Sequence, residues 1–275
     1  MWWLNLATGF IVKLALLPFT KINPWAGLIF ISLLTAFLML FIYKKFSNQK
    51  AIHQAKNQIK AYLLELRLFQ NDFRTLLTTQ KELFLTNVRY LACNLQPLLV
   101  MIVPIFLLLA QMNLWFGYRS FKPGETLLLK VKFISSMEVD KLSLDLEVPP
   151  GLTIDSPLLR IIDENEADWR LKVEEKVSQP LVIRVNGKRY NKEIVVGGSK
   201  LERLSPYRFR QNLWQELLYP GEKPLPSDSY IKEIELTYPE QRLSFLGVKF
   251  HWLVAYFLLS IIFGLALKGP LKVEI

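Results

Sequence analysis

The chain has 275 residues, with 34 Lys and Arg against 24 Asp and Glu, for a formal charge of +10. Its 51% hydrophobic content and mean hydropathy of +0.22 exclude an ordinary soluble chain, because long uncharged runs alternate with stretches as charged as a soluble domain. A single cysteine, Cys93, excludes an intrachain disulfide, and His53 and His251 have no Cys or His at ligand spacing, so neither a metal nor any other cofactor is expected.

Residues 1–23 are apolar and aromatic but carry Lys13 mid-run. A secretory signal would place its charge first and end in small residues. An interfacial helix and an extra, weakly hydrophobic span both fit, and the interfacial helix is the preferred reading. Residues 24–43 begin at Asn23-Pro24 with Trp25 at interface depth and stop at Lys44-Lys45, which predicts a first transmembrane helix. Residues 44–90 are charged. Residues 91–116 and 250–267 are again uncharged, with Trp115 to anchor the former and Lys249 and Lys268 bounding the latter, so three spans are expected.

The 44–90 loop carries nine basic residues (44, 45, 50, 56, 60, 67, 74, 81, 89) against Glu65, Asp72 and Glu82, whereas residues 117–249 carry 21 basic and 20 acidic ones. Basic residues near span ends stay in the cytoplasm, which places 44–90 and the 268–275 tail inside and the 117–249 region outside. Within 44–90, Ile52, Ala55, Ile59, Tyr62, Leu66, Phe69, Phe73 and Leu76 recur at 3-4 spacing, a coiled-coil-like seam. Both ends of this loop return to one membrane face, so the chain must reverse, with Gln70-Asn71-Asp72 as the turn and an antiparallel helical hairpin as the result. A structural stalk and a basic arm that touches a ribosome or an emerging polypeptide are both open. In the second reading Lys44, Lys45, Lys50, Lys56, Lys60, Arg67 and Arg74 make the contacts.

Beyond Gly117 the pattern changes to period two. Leu142, Leu144, Leu146 and Val148 alternate with polar residues, as do Trp169, Leu171 and Val173, and TLLLKVKF follows turn chemistry at 121–125. Asn186-Gly187 between PLVIRV and KRYNKEIVV reads as a type I′ hairpin turn. Strands at about ten-residue intervals predict a β-sandwich over 117–200. A proline-rich return segment over 201–249 holds one further strand, 231–238. The phrasing of FKPGETLLLKV and VIRVNGKRY resembles bacterial immunoglobulin-like modules, without antibody cysteines. The region has no histidine and no Gly-rich phosphate loop, GxSxG or HExxH, so binding rather than catalysis is expected. Its acidic run Asp163, Glu164, Glu166 and Asp168 reads as a solvated loop.

Polar side chains inside spans are costly and face protein or water. Ser32 and Thr35 share a face of the first span. On the second, Pro97, Pro104 and Gln111 are seven apart, with Asn94 one turn before Pro97 and Gln96 beside it. Helix packing and a partly hydrated groove for a translocating segment both account for these residues.

The run NPWAGLIFISLLT…FIYKKFSNQKAIHQAKNQIKAY, followed by NLQPLLVMIVPIFLLL, resembles the YidC/Oxa/Alb superfamily of membrane-protein insertases, over about residues 1–115 and the last span. In that superfamily a span leads into a basic cytoplasmic hairpin, and the next span begins with a proline-rich stretch ending in a PIF-like motif, here Pro97 and Pro104-Ile105-Phe106. The resemblance implies a reduced three-span member with its N-terminus outside, in a bacterial inner membrane. It implies an insertase-like chaperone that aids membrane-protein clients through the groove, without covalent chemistry. Bacterial members carry a groove arginine in the first span, and none lies between Trp25 and Tyr43. The alternative is a non-catalytic assembly or scaffold subunit whose outer β-domain binds another envelope protein.

Overall fold

The computed structural model describes residues 2–177, 179–245 and 247–274. In chain order, the helices are α1 (Trp2–Leu16), α2 (Pro24–Phe46), α3 (Gln49–Leu68), α4 (Phe73–Phe116), α5 (Leu213–Leu218) and α6 (Trp252–Lys268). The strands between α4 and α5 are β1 (Thr126–Phe133), β2 (Leu144–Glu147), β3 (Leu152–Ile161), β4 (Glu166–Val173), β5 (Leu181–Val185), β6 (Lys188–Lys192) and β7 (Tyr207–Phe209). Those between α5 and α6 are β8 (Ile231–Leu236), β9 (Arg242–Phe245) and β10 (Val248–His251).

Among the described residues, three helices are long and apolar enough to cross a bilayer: Trp2–Phe19 (α1 with the short 3-10 turn after it), α2 and α4. α2 and α4 contain the first two expected spans. The third coincides with α6, an apolar helix of 17 residues. At 1.5 Å per residue α6 extends about 25 Å, a little less than the ~30 Å of bilayer hydrocarbon. The N-terminal segment has the length and composition of a span despite Lys13.

The chain forms two compact units, Met1–Leu28 with Leu107–Ala255 and Ile29–Phe106 with Tyr256–Ile275. The second unit is helical. Asn48 caps α3 by accepting the Ala51 N–H, and the chain reverses at Gln70-Asn71. Asp72 then caps α4 by accepting from the N–H groups of Arg74 and Thr75. The expected seam is closed only at its base. Ile52 and Ala55 are buried, Ile59, Tyr62 and Leu66 half-buried, and Phe69 and Phe73 exposed. Around Ile52 the side chains of Leu40, Tyr43, Tyr90 and Val273 complete a small core. Further out, the buried positions of α4 are Thr79 and Thr86, where a coiled coil would place large apolar knobs.

The first unit is dominated by antiparallel sheet. Five strands run in the order β3-β4-β1-β8-β7, three in the order β2-β5-β6, and β9 pairs with β10. Period-two alternation puts Leu127, Leu129 and Val131 of β1 and Trp169, Leu171 and Val173 of β4 on one face. There they meet Leu181, Ile183 and Val185 of β5, so the two larger sheets share one hydrophobic core. The two-residue turn between β5 and β6 has positive φ at both Asn186 (48°) and Gly187 (82°), as a type I′ hairpin requires. The return segment does more than lead away: β8 pairs with β1 inside the larger sheet. At the sheet edge, β3 slips register twice against β4 and contains Pro157, features that blunt an exposed edge.

The acidic run divides. Asp163 and Glu164 lie in the turn before β4, but Glu166 and Asp168 are buried strand residues rather than parts of a solvated loop. The register explains why: Lys130 lies opposite Asp168 and Glu235, and Lys132 opposite Glu166 and Glu233. Glu166 pairs with Lys132 at 3.3 Å and Lys130 at 3.7 Å. Alternating charge across three strands allows acids to sit under neighbouring side chains.

Candidate functional site

In the helical unit, α2, α4 and α6 line an open cavity of about 300 Å³. Thr35, Met39 and Tyr43 contribute from α2, Met101 and Ile105 from α4, and Ser260 and Gly264 from α6. Each helix contributes because its residues recur at three and four, which places them on one face. The lining is mainly aliphatic, aromatic and thioether, with a few hydroxyls. Two methionines give it side chains that adapt to irregular apolar shapes. Gly264 leaves room on α6, since a Cβ there would meet nothing within 4 Å.

The residues predicted to line a groove take different positions. Thr35 lines the cavity, but its hydroxyl donates to the Ile31 carbonyl of its own helix at 2.6 Å. Ser32 is buried on the same helix. Asn94 accepts a short hydrogen bond from the Tyr43 hydroxyl and donates to the Tyr90 carbonyl at 2.7 Å, so it steadies a cavity tyrosine. Gln96 is exposed, Pro97 buried and Pro104 half-buried, and α4 continues through both prolines. Gln111 belongs to the other unit. It donates to the Asn5 carbonyl at 3.0 Å and the Thr8 hydroxyl at 3.3 Å, fastening α4 to α1. Gly9 permits this approach, because a Cβ there would lie 3.2 Å from the Gln111 amide.

The basic residues also divide. Lys45, Lys50, Lys60, Arg67 and Arg74 are exposed. Lys44 donates to the Leu271 carbonyl at 2.7 Å, and Lys56 pairs with Glu274 at 3.3 Å. Glu274 is held further by its own N–H, which donates to the Gln49 side chain at 2.7 Å. Residues after α6 therefore clasp the base of the hairpin, and Val273 is buried there. The sequence signal was weak: one acid and one valine in a short basic tail.

The β-rich unit contains a buried polar cluster that strand periodicity did not reveal. Lys192, at the end of β6, is fully buried and donates to the Glu222 carboxylate and to the Ser205 carbonyl. The other Glu222 oxygen accepts the Glu193 N–H at 3.1 Å. Burial pushes the Lys192 ammonium below the usual lysine range, against the pull of Glu222. Burial likewise raises the Glu193 carboxyl, helped by the nearby Glu222 charge, and lowers the Arg203 guanidinium. Gly221 is needed beside this cluster, since a Cβ there would come within 2.1 Å of the Ser205 hydroxyl.

No protein-family model, no curated protein and no solved structure matches this chain.

Proposed function

We propose that the protein is an insertase-like membrane chaperone whose cavity between α2, α4 and α6 receives an apolar segment of a client membrane protein. The observation that carries the reading is that cavity. It is bounded by three apolar helices, lined by two methionines and a few hydroxyls, and left open by Gly264. Such a surface receives an apolar segment because its methionine and aliphatic side chains adapt to irregular apolar shapes. No covalent step or cofactor enters. The exposed basic side chains of the hairpin, Lys45, Lys50, Lys60, Arg67 and Arg74, supply charge for a nascent chain or ribosome on the cytoplasmic face. In this reading the protein is a reduced member of the YidC/Oxa/Alb superfamily in a bacterial inner membrane, and its outer region is an immunoglobulin-like sandwich. Photocrosslinking of a stalled membrane-protein nascent chain tests it. Crosslinks from position 101 should exceed those from the exposed position 102, and equal yields would refute it.

A second reading has one observation in its favour. Leu159 on the edge strand β3 and Ile162 in the turn after it are exposed apolar residues of the outer region. In this reading an envelope protein packs an apolar surface of its own on these two side chains, with no strand added to the blunted edge. Leu159→Lys should then abolish co-purification of that partner while client crosslinking at position 101 persists.

A further inference from the structure

The β-rich unit holds a second cavity, of about 480 Å³, whose walls differ in kind. One wall is α1, contributing Phe10 and Lys13. This helix is apolar enough for a bilayer, and Phe10 itself is 67% exposed. The remaining lining includes Trp115 and two charged side chains, Glu193 and Arg203.

Trp115 is 5% exposed, yet its indole N–H meets no acceptor among the described residues. Arg203 donates one N–H to the Pro220 carbonyl at 2.7 Å, while its Nε–H has no acceptor among them. Lys13, exposed at the rim, forms no ion pair or hydrogen bond with the described residues. A buried donor without an acceptor is unfavourable and uncommon. Here two such donors, the neutral Trp115 indole and the cationic Arg203 guanidinium, border one space, with the exposed Lys13 ammonium beside them. The acids beside them are unequal: Glu222 is occupied by Lys192, whereas Glu193 has no ion-pair partner within 4 Å among the described residues.

The required ligand therefore has several acceptor oxygens with negative charge, a positive group for Glu193, and an apolar body to lie along α1. We infer that this cavity binds an ethanolamine phospholipid. Its phosphate accepts from Trp115 Nε1, Arg203 and Lys13, its ammonium faces Glu193, and its acyl chains follow α1 past Phe10. Charge-assisted bonds to phosphate are the strong contribution, and the apolar wall selects a lipid over a free anion. The inference goes beyond the insertase reading and does not depend on it.

The test uses the full chain, purified in detergent, stripped of lipid and analysed by native mass spectrometry. The probes are dioleoylphosphatidylethanolamine, dioleoylphosphatidylglycerol, dioleoylglycerol and inorganic phosphate. One phosphatidylethanolamine should bind per chain, dioleoylglycerol should not, and inorganic phosphate should not displace the lipid. Trp115→Phe, which keeps an aromatic ring and removes the donor, should weaken binding about ten-fold, as should Lys13→Gln at its exposed position. Lys122→Gln, an equal charge change at an exposed site in the turn before β1, should leave it unchanged. Glu193→Gln should erase the preference for ethanolamine over glycerol headgroups. Undiminished binding in Trp115→Phe and Lys13→Gln, retention of dioleoylglycerol, or displacement by inorganic phosphate would each overturn the assignment. An ethanolamine preference that survives Glu193→Gln would overturn the headgroup choice.

Discussion

Lys192 and Glu222 form an ion pair closed off from water, joining the end of β6 to the return segment 30 residues later. Taking both charges out of water is costly, and their attraction and hydrogen bonds offset that cost only while both are present. Lys192→Met alone should destabilise the unit by about 3 to 5 kcal/mol, because Glu222 then remains buried and uncompensated. Lys192→Met with Glu222→Leu should recover most of that loss. Denaturant unfolding of the purified chain, followed by tryptophan fluorescence, compares them.

Asp168 gives a pH dependence of definite sign. Burial first, then hydrogen bonding to and repulsion by Glu166, raise its carboxyl from 3.8 to about 6. The folded protein therefore holds a proton between pH 3.8 and 6 that the unfolded chain has released. The contribution of Asp168 is most favourable below that window, declines as pH rises through it, and is level above it. Asp168→Asn should remove this slope and stabilise the protein at pH 7 by about 1 to 2 kcal/mol after allowance for solvent screening. Unfolding midpoints of both proteins across pH 4 to 7 measure the difference.

Gly187 has φ of 82° and open space around its Cα, so an added methyl meets no neighbour. Gly187→Ala isolates backbone strain and should cost about 1 kcal/mol. Asn186 should be less replaceable than its turn position suggests, since its side chain also accepts the Ser143 N–H at 2.9 Å. Thermal unfolding of Gly187→Ala and Asn186→Gly separates the two effects.

Gln111 acts between helices. Gln111→Leu removes both hydrogen bonds that its amide nitrogen donates to α1, while the Thr8 hydroxyl still donates to the Asn5 carbonyl, so a loss of about 1 kcal/mol is expected. Protease sensitivity of the α1–α2 connection should rise, with client crosslinking at position 101 unaffected.

Much of this was legible from residue pattern alone. Uncharged runs mark α2, the end of α4 and α6, because lipid tolerates no unpaired charge. Gln70-Asn71 and Asn186-Gly187 mark chain reversals, because their local chemistry determines them. Features that depend on distant chain were hidden. Gln111 shares a helix face with Pro104, but spacing cannot tell that α1 covers it. Lys44 and Lys56 look like free basic contacts until the residues after α6 return to them. Glu166 and Asp168 read as a loop because the lysines opposite them in the sheet are more than 30 residues earlier, on β1.

The cavity between α2, α4 and α6 is the centre of the functional proposal, and Gly264 provides a way to close it. A Cβ at Gly264 meets nothing within 4 Å, and Gly264→Leu replaces a poor helix former, so folding should be preserved. The decisive measurement is the rate at which a single-span membrane protein, synthesised in vitro, inserts into liposomes carrying the wild-type chain, the Gly264→Leu chain or no added protein. Wild-type should raise insertion several-fold over empty liposomes, and Gly264→Leu should return it towards that baseline. No increase with folded wild-type protein, or equal activity in Gly264→Leu, would contradict the account.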